Sequence, residues 1–470
     1  MSEKQPPTGS YIVDAGWILA HGEDGSYLLE GGSIRVENDR IIEVSEKPIE
    51  GKEPRLALPG QLLMPGLISG HTHVASGTPT RGIIEGGRSY SRPIKLMDQL
   101  SDDELDDLTA FNLAEVLKAG CTTQVEMSLS LRQAESYVRV AGAWGARGFP
   151  GGMIPGTSRL DSIWFREDDQ ALFDSVPGTL GEIAANFEFG KKNLGAFNGR
   201  IMPMMAPHAT DTHTDETMTA IIDAAKELGT GVHIHLSQRD TETAAVRRLH
   251  DGLSPTQWLE KLGGLEGPFF GAHMMALDWN TDPEILKRNG AVYAHCPSAG
   301  GAGGATQPYP EALAAGIATN IAIDTHSNDL LENIKLAVIA GKTRAKLIGA
   351  PQAALPTIWG AVDGATVVAA DGLHRPDLGR ISAGAKADFI TLDLSDWLVG
   401  AGVLPPEPLN NLLYANGSIV RHVAVDGRFL VFDGDLTVAK EDDVFKRGAV
   451  VNEKLWNQLS DEGWFTPTPR

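Results

Sequence analysis

Short apolar segments alternate with longer amphipathic stretches through the middle of the chain. Eight of these segments have the length of a buried strand, at 63–69, 122–127, 148–154, 201–206, 231–236, 269–275, 291–295 and 318–323. Stretches of helical periodicity separate them, for example at 101–119, 214–228 and 330–348. Strands that alternate with helices predict parallel βαβ units, and eight such units close a (β/α)8 TIM barrel. The predicted fold class is therefore α/β.

The ends of the predicted helices carry their own sequence signals. Ser101 and Glu104 have the spacing of a capping box at a helix start, and Gly120 follows the end of that helix. Gly229 likewise follows the stretch at 214–228. These signals support helices rather than strands between the apolar segments.

Both ends of the chain predict strands of a different kind. Aromatic and β-branched runs precede residue 64, and a turn at Asn38–Arg40 indicates a hairpin. Strands return after residue 375, with a second turn at Asp426–Gly427, and a helical tail begins near residue 441. We therefore expect a small β-sandwich unit built from both chain ends. Its N-terminal part is residues 1–63, the catalytic barrel is 64–370, and 371–470 hold its C-terminal part and the tail.

Composition and charge narrow the classes of partner. The 470 residues contain 40 Lys and Arg against 61 Asp and Glu, for a net charge of −21. Phosphate backbones and anionic membranes would repel such a chain, so we expect neither nucleic acid nor membrane as a partner. The two cysteines, Cys121 and Cys296, indicate buried reduced thiols, and the polar N-terminus lacks a signal sequence. These features predict a cytoplasmic protein.

Candidate chemistry lies at the ends of the predicted strands. His71 and His73 have the i, i+2 spacing that points both rings to one face of the first strand, where barrel enzymes hold their sites. His235 ends the fifth strand, His273 the sixth and Asp324 the eighth. Three neutral imidazoles and a carboxylate leave one position open for water on a catalytic metal ion. Such an ion generates hydroxide near neutral pH, with Asp324 placed to accept the proton and His273 to polarise or protonate the substrate.

The same residues stand in recognisable motifs. The run Pro-Gly-Leu-Ile-Ser-Gly-His-Thr-His at 65–73, together with His235, His273 and Asp324, resembles the amidohydrolase superfamily. The segments at 378–388 and 420–427 resemble the C-terminal β unit of that superfamily. Within it, the chain is most similar to the branch of triazine hydrolases, guanine and cytosine deaminases, and phenylurea and molinate hydrolases. This branch includes enzymes of xenobiotic degradation.

The resemblance implies a set of metal ligands and a metal count. The implied ligands are His71, His73, His235 and Asp324, with His273 near the leaving group or carbonyl of the substrate. Binuclear members carry a carboxylated lysine on strand four, whereas the segment at 200–208 has no lysine. We therefore expect one divalent ion, with zinc favoured and iron or cobalt as alternatives. Homo-oligomers, dimers above all, are common in this superfamily, so a homodimer is expected.

Gln238 departs from the pattern of the deaminases. They carry a proton-shuttling Glu three residues after the strand-five ligand, whereas Gln238 can form hydrogen bonds but cannot titrate. This favours hydrolysis of an amide, urea or carbamate-type C–N bond in a small, partly apolar compound, with Gln238 counted among the catalytic residues. The alternative is an aminohydrolase or related hydrolase acting on a purine, pyrimidine or s-triazine ring. A third hypothesis is a non-catalytic scaffold, although such relatives lose metal ligands and this chain keeps all four.

Three further residues are candidate substrate contacts. His208 ends strand four, His326 follows Asp324, and Arg81 lies in the long connection after strand one. His233 faces the same way as His235 but lies deeper, which is typical of a hydrogen-bonded core residue.

Overall fold

The computed structural model describes residues 5–83, 88, 91–157, 159 and 169–465. Its strands, in chain order, are β1 Ser10–Gly22, β2 Gly25–Glu30, β3 Ser33–Glu37, β4 Arg40–Ser45, β5 Arg55–Pro65, β6 Leu67–Thr72, β7 Cys121–Ser128, β8 Arg147–Ile154, β9 Ala206–Pro207, β10 Val232–Leu236, β11 Phe269–His273, β12 Val292–His295, β13 Thr319–Ile321, β14 Phe389–Asp393, β15 Val420–Val425, β16 Arg428–Phe432 and β17 Asp435–Leu436. Its helices of six residues or more are α1 Ser91–Met97, α2 Asp102–Lys118, α3 Leu131–Trp144, α4 Gln170–Asn193, α5 Asp215–Leu228, α6 Asp240–Leu249, α7 Pro255–Lys261, α8 Asp282–Arg288, α9 Pro297–Ala302, α10 Tyr309–Ala315, α11 Leu330–Ile348, α12 Ile358–Asp363 and α13 Glu441–Asp461.

Strands β6 to β13 form the predicted barrel. Two four-stranded parallel ladders run β6-β7-β8-β9 and β10-β11-β12-β13. Single parallel bridges join them, from Met205 to Val232 on one side and from Thr72 to Asp324 on the other. Eight parallel strands therefore close on themselves, and the seam at Thr72 and Asp324 lies beside the candidate metal ligands. The α/β barrel fold is confirmed.

The other strands form one sheet from both ends of the chain. Its order is β17-β16-β15-β14-β5-β1-β3-β4, with β2 paired to β1. The predicted turns are present: Asn38 has φ 56° between β3 and β4, and Asp426 and Gly427 have φ 49° and 71° between β15 and β16. In the second turn both central residues have positive φ, which suits the twist of a tight hairpin.

Two of the predicted strands differ from the observed ones for local reasons. The segment at 63–69 is split at Gly66, because β5 ends in the terminal sheet at Pro65 and β6 begins in the barrel at Leu67. A side chain at Gly66 would have its Cβ 2.3 Å from the Thr122 hydroxyl, so the crossing is open only to glycine. Strand four is regular only at Ala206–Pro207, since Pro203 cannot donate a ladder hydrogen bond.

The helices follow their predicted signals closely. Helix α2 begins after Ser101, and the capping box with Glu104 is present in both directions. Helix α5 ends at Gly229, which has the left-handed conformation. Within the described part of the chain, no helix combines the length and the apolar character that crossing a membrane requires.

Candidate metal centre

Five buried side chains from four barrel strands meet at the carboxyl end of the barrel. We call them the histidine cluster: His71 and His73 on β6, His235 on β10, His273 on β11, and Asp324 after β13. Ring centres lie 4.6 Å apart for His71 and His73, and 4.8 Å apart for His71 and His235. Potential ligand atoms of His71, His235 and His273 lie within 4.8 Å of one another, as do those of His71, His73 and Asp324. All the residues predicted for the metal and for His273 are thus brought together.

Hydrogen bonds fix one nitrogen of each of three rings and leave the other for a metal ion. The Nδ1 atoms of His71, His73 and His235 lie 2.6, 2.5 and 2.6 Å from His233 Nε2, the Met127 carbonyl and the His208 carbonyl, respectively. His71 Nε2 is buried and has no hydrogen-bond partner among the described residues. Metal-binding histidines are ordinarily oriented by such a bond on the far nitrogen. The set therefore fits a divalent ion held on Nε2 atoms.

The electrostatics of the cluster favour neutral imidazoles. Burial lowers the pKa of His73 to about 3 and that of His235 to about 4. Burial, together with neighbouring imidazoles, also holds the pKa of His71 and His273 well below the ordinary value. Neutral rings are the form that binds metal, so the unprotonated cluster is already in its ligand state.

Asp324 stands between the rings. Its Oδ1 is 3.6 Å from His73 Nε2, and its Oδ2 is 3.8 Å from His273 Nε2. Burial raises the pKa of this carboxyl to about 6. A carboxyl with that pKa can accept a proton and return it near neutral pH, which is what a general base needs.

The strands bend at the rim to present these groups. Ser237, His273, Met274 and Asp324 have φ of 48°, 77°, 45° and 61°, although none is glycine. Left-handed backbone at such residues costs about 1 kcal/mol or more each and clusters at functional sites. Three of the four strands that carry the histidine cluster therefore end in strained turns.

Gln238 follows the end of β10, and a buried carboxylate lies beneath it. Glu242 accepts hydrogen bonds from the backbone N–H groups of Ser237 at 3.0 Å and Gln238 at 2.7 Å, and from the Thr210 hydroxyl at 2.5 Å. Burial, and secondarily Asp211, raises its pKa to about 7. Both of its oxygens are occupied by these donors, so Glu242 shapes the turn that holds Gln238.

The three predicted substrate contacts occupy different surroundings. The His208 ring is buried, with its centre 5.3 Å from that of His235. Arg81 forms an ion pair with Glu115 on α2. Arg81 and His326 both line a cavity of about 750 Å³ on the flank of the barrel, whose lining includes no member of the histidine cluster. His326 is also near enough to His73, His273 and Asp324 to influence their pKa values. The roles of all three residues stay predictions.

Sequence reasoning gave no place beside the site to two of three buried residues that lie there, Glu126 and Cys296. Glu126 on β7 is buried and accepts a hydrogen bond from the backbone N–H of Val74, next to His73. His233 is the partner of His71, which agrees with its predicted place as a hydrogen-bonded core residue. Cys296 lies within ligand distance of His273 and Asp324. Its position directly after the seventh predicted strand could have marked it as a site residue, because the other residues of the site also lie at the ends of barrel strands.

Comparison with known proteins places the chain among metal-dependent hydrolases. Residues 62–430 match the amidohydrolase family. A 5-methylthioadenosine/S-adenosylhomocysteine deaminase from Desulfitobacterium hafniense is 30% identical over 429 residues, which cover 86% of this chain and 90% of the relative.

Solved structures of the same fold cover nearly the whole chain. An adenosine deaminase from Xanthomonas campestris with bound zinc has a TM-score of 0.78 at 20% identity, over 96% of this chain and 100% of that one. An atrazine chlorohydrolase from Arthrobacter aurescens complexed with zinc has a TM-score of 0.80 at 18% identity, over 94% and 100%. The shared fold of these structures confirms the predicted barrel. The family match and the 30% identical deaminase confirm the predicted branch and metal-dependent hydrolysis of C–N bonds as the class of reaction.

Proposed function

Because the chain belongs to the amidohydrolase family, we propose that it is a zinc-dependent aminohydrolase that replaces the exocyclic amino group of a purine-type ring by oxygen and releases ammonia. The observation that carries the proposal is the histidine cluster, which has neutral rings with tethered Nδ1 atoms around one buried carboxylate. The substrate class is supported by the deaminase that is 30% identical over most of both chains. That relative favours the alternative prediction, ring deamination, over the amide-type hydrolysis expected first.

His71, His73, His235 and Asp324 would hold the zinc ion. Bound there, zinc would acidify a coordinated water and so supply the nucleophile. Asp324 would accept the first proton of the attacking water and pass it to the ring nitrogen. It would then carry the remaining hydroxyl proton to the amino group, so that ammonia leaves and the carboxyl ends the cycle as it began.

His273 orients the substrate beside Asp324. Its Nε2 lies 3.8 Å from Asp324 Oδ2, so the two side chains face the same reacting carbon. With a pKa held well below its ordinary value by burial, His273 stays neutral and acts by hydrogen bonding. His208, at the end of the neighbouring strand, is the candidate contact for the remainder of the substrate.

Gln238 is the specific observation that favours a second function, hydrolysis of an amide, urea or carbamate. Addition of water to a ring C=N bond puts a proton on the ring nitrogen, and an amide side chain can donate a hydrogen bond there but no proton. A carbonyl needs no such proton. Glu242 does not replace the missing acid, because its oxygens accept from two backbone N–H groups and the Thr210 hydroxyl.

A substrate panel on zinc-loaded protein separates the two functions. The panel holds 6-aminopurine nucleosides, guanine, cytosine, an aminotriazine, anilides and phenylureas, with released ammonia and released amine both measured. We expect ammonia from a 6-aminopurine nucleoside, and none from chelator-treated protein. Amine from an anilide or phenylurea, without ammonia from any ring, would establish the second function instead.

A Gln238→Glu variant sharpens the result. If the reaction is ring deamination, restoring a titratable group at this position should raise turnover and introduce a new ionisation in the pH profile. For a carbonyl substrate the same change should leave turnover equal or lower. Gln238→Met, which keeps the size and removes the hydrogen-bonding amide, is the matched control.

A further inference from the structure

A buried thiol stands beside the histidine cluster. Cys296 follows β12, the seventh barrel strand, and so lies between the strand of His273 and that of Asp324. One potential ligand atom from each of these three residues lies within 4.8 Å of the other two. All three residues are buried. A tetrahedral zinc site places donor atoms roughly 3–4 Å apart, so small side-chain adjustments would close this set around an ion.

The two carboxylate oxygens of Asp324 lie near different histidines. Oδ1 lies 3.6 Å from His73 Nε2, within the set proposed to hold the hydrolytic zinc. Oδ2 lies 3.8 Å from Nε2 of His273, the ring that shares a potential ligand set with Cys296. One carboxylate can therefore bridge two ions, as carboxylates do in two-metal sites with ions about 3.5–4 Å apart.

The donor types select the kind of ion. A thiolate, an imidazole and a carboxylate are a ligand set for zinc and softer divalent ions, whereas magnesium and calcium prefer oxygen alone. The Cys296 thiol donates a hydrogen bond to the Ala294 carbonyl at 3.6 Å, and a thiol is a weak donor. On coordination the thiol gives up its proton to solvent, so the ion binds a thiolate.

We propose that Cys296, His273 and Asp324 form a second, inhibitory site for a soft divalent cation, filled by zinc in excess or by cadmium. An ion there occupies His273 Nε2 and Asp324 Oδ2, the two atoms that the hydrolysis uses on the substrate side. Excess zinc would then inhibit the enzyme that the first equivalent activates. The inhibition rests on the proposed function, but binding of the ion does not.

The chain offers a matched control in its other cysteine. Cys121 is also fully buried, and its thiol donates to the Thr123 carbonyl at 3.3 Å. Among the described residues it belongs to none of the potential ligand sets. Cys121→Ser and Cys296→Ser therefore make the same chemical change in two buried places.

The test is a cadmium titration of protein that carries one equivalent of zinc. Cadmium–thiolate charge-transfer absorption in the ultraviolet reports binding at the thiol, and turnover is followed in parallel. We expect the absorption and the inhibition to develop together in the wild type and in Cys121→Ser. Because losing even a group hydrogen-bonded to a ligand weakens metal binding about 10- to 100-fold, Cys296→Ser should raise the inhibitory concentration at least about tenfold. Its zinc-dependent turnover should stay near that of the wild type.

The two readouts separate this proposal from the proposed function. Absence of the absorption in the wild type at saturating cadmium overturns the second site. The second site is also overturned if the absorption survives in Cys296→Ser and disappears in Cys121→Ser, or if inhibition is equally strong in both variants. If the protein releases no ammonia or amine from any tested compound but the absorption depends on Cys296, the hydrolytic proposal fails while the cation site stands.

Discussion

Two buried polar clusters lie at opposite ends of the barrel and use their polar atoms in opposite ways. The histidine cluster lies at the carboxyl ends of the strands. The other, which we call the arginine cluster, consists of Arg147 at the start of β8 with Asp388 and Asp426 of the terminal sheet. Arg147 donates to Asp388 at 2.7 and 3.1 Å and to Asp426 at 2.6 Å. In the arginine cluster the chain itself supplies the counter-charges.

The histidine cluster is left incomplete by comparison. His71 Nε2 is buried without a partner among the described residues, and the rings that surround it are neutral. Burial alone lowers the pKa of Arg147, but the carboxylates of Asp388 and Asp426 raise it above the ordinary value, so this group stays charged. A buried cluster in which the charges are paired connects two parts of the fold. A buried cluster with potential metal-ligand atoms that lack a partner is suited to binding an ion.

Removing the carboxylate of the histidine cluster should produce the largest effect. Asp324→Ala takes away a metal ligand and the general base together, so turnover should fall about 10³-fold or more while the fold persists. Steady-state kinetics on zinc-loaded protein and a urea unfolding curve measure the two quantities. Asp103→Ala, at an exposed carboxylate in the first turn of α2, is the control. Turnover near the wild-type value in Asp324→Ala would refute the site.

Removing the charge at the centre of the arginine cluster should instead act on stability. Arg147→Ala leaves the Asp388 carboxylate buried without its cationic partner, so the free energy of unfolding should fall by about 3–5 kcal/mol. Asp426 keeps its ion pairs with Arg200 and Lys386. Arg139→Ala removes the exposed pair with Asp106 and should cost about 1 kcal/mol or less. Urea unfolding measures both. An equal loss of unfolding free energy in the two variants would show that the buried ion pairs of Arg147 contribute no more to stability than an exposed pair.

Chelation should distinguish the clusters without any mutation. A bound ion stabilises the folded state by about 2.7 kcal/mol when its free concentration is 100 times its dissociation constant, and removing the ion removes that stabilisation. The thermal midpoint of the wild type should fall on chelation and recover with zinc. Arg147→Ala should show the same shift from its lower midpoint, and Asp324→Ala a smaller one. A wild-type midpoint indifferent to chelator would mean that the cluster holds no ion.

A smaller effect is expected at Glu126, between the rim and the core. Burial raises the pKa of this carboxyl to about 8, above the ordinary 4.5, so between these pH values the folded state binds more protons than the unfolded state. Its contribution to stability is therefore lost as the pH rises through that interval. Glu126→Gln should flatten the fall in stability from pH 5 to pH 9, as measured by urea unfolding. A variant curve parallel to that of the wild type would show that Glu126 does not titrate in this range.

Local sequence rules predicted the larger part of the site. The alternation of side chains along a strand fixes that His71 and His73 face the same way, and the barrel places every strand end at one rim. His235, His273 and Asp324 followed from the same rule, since each stands at the end of an apolar segment. Caps and turns likewise depend on only a few neighbouring positions, which is why the helix start at Ser101 and the turn at Asp426 could be predicted from the sequence.

The amino-acid sequence by itself thus determined the barrel, its rim and the five side chains that point into it. Only the tertiary structure decided which nitrogen of each ring is tethered, because the Met127 and His208 carbonyls reach His73 and His235 from neighbouring strands. It also decided that Cys296 lies beside Asp324 and that Glu242 lies under Gln238. These contacts depend on strand register, strained turns and packing between distant segments, and no periodicity along the chain encodes them.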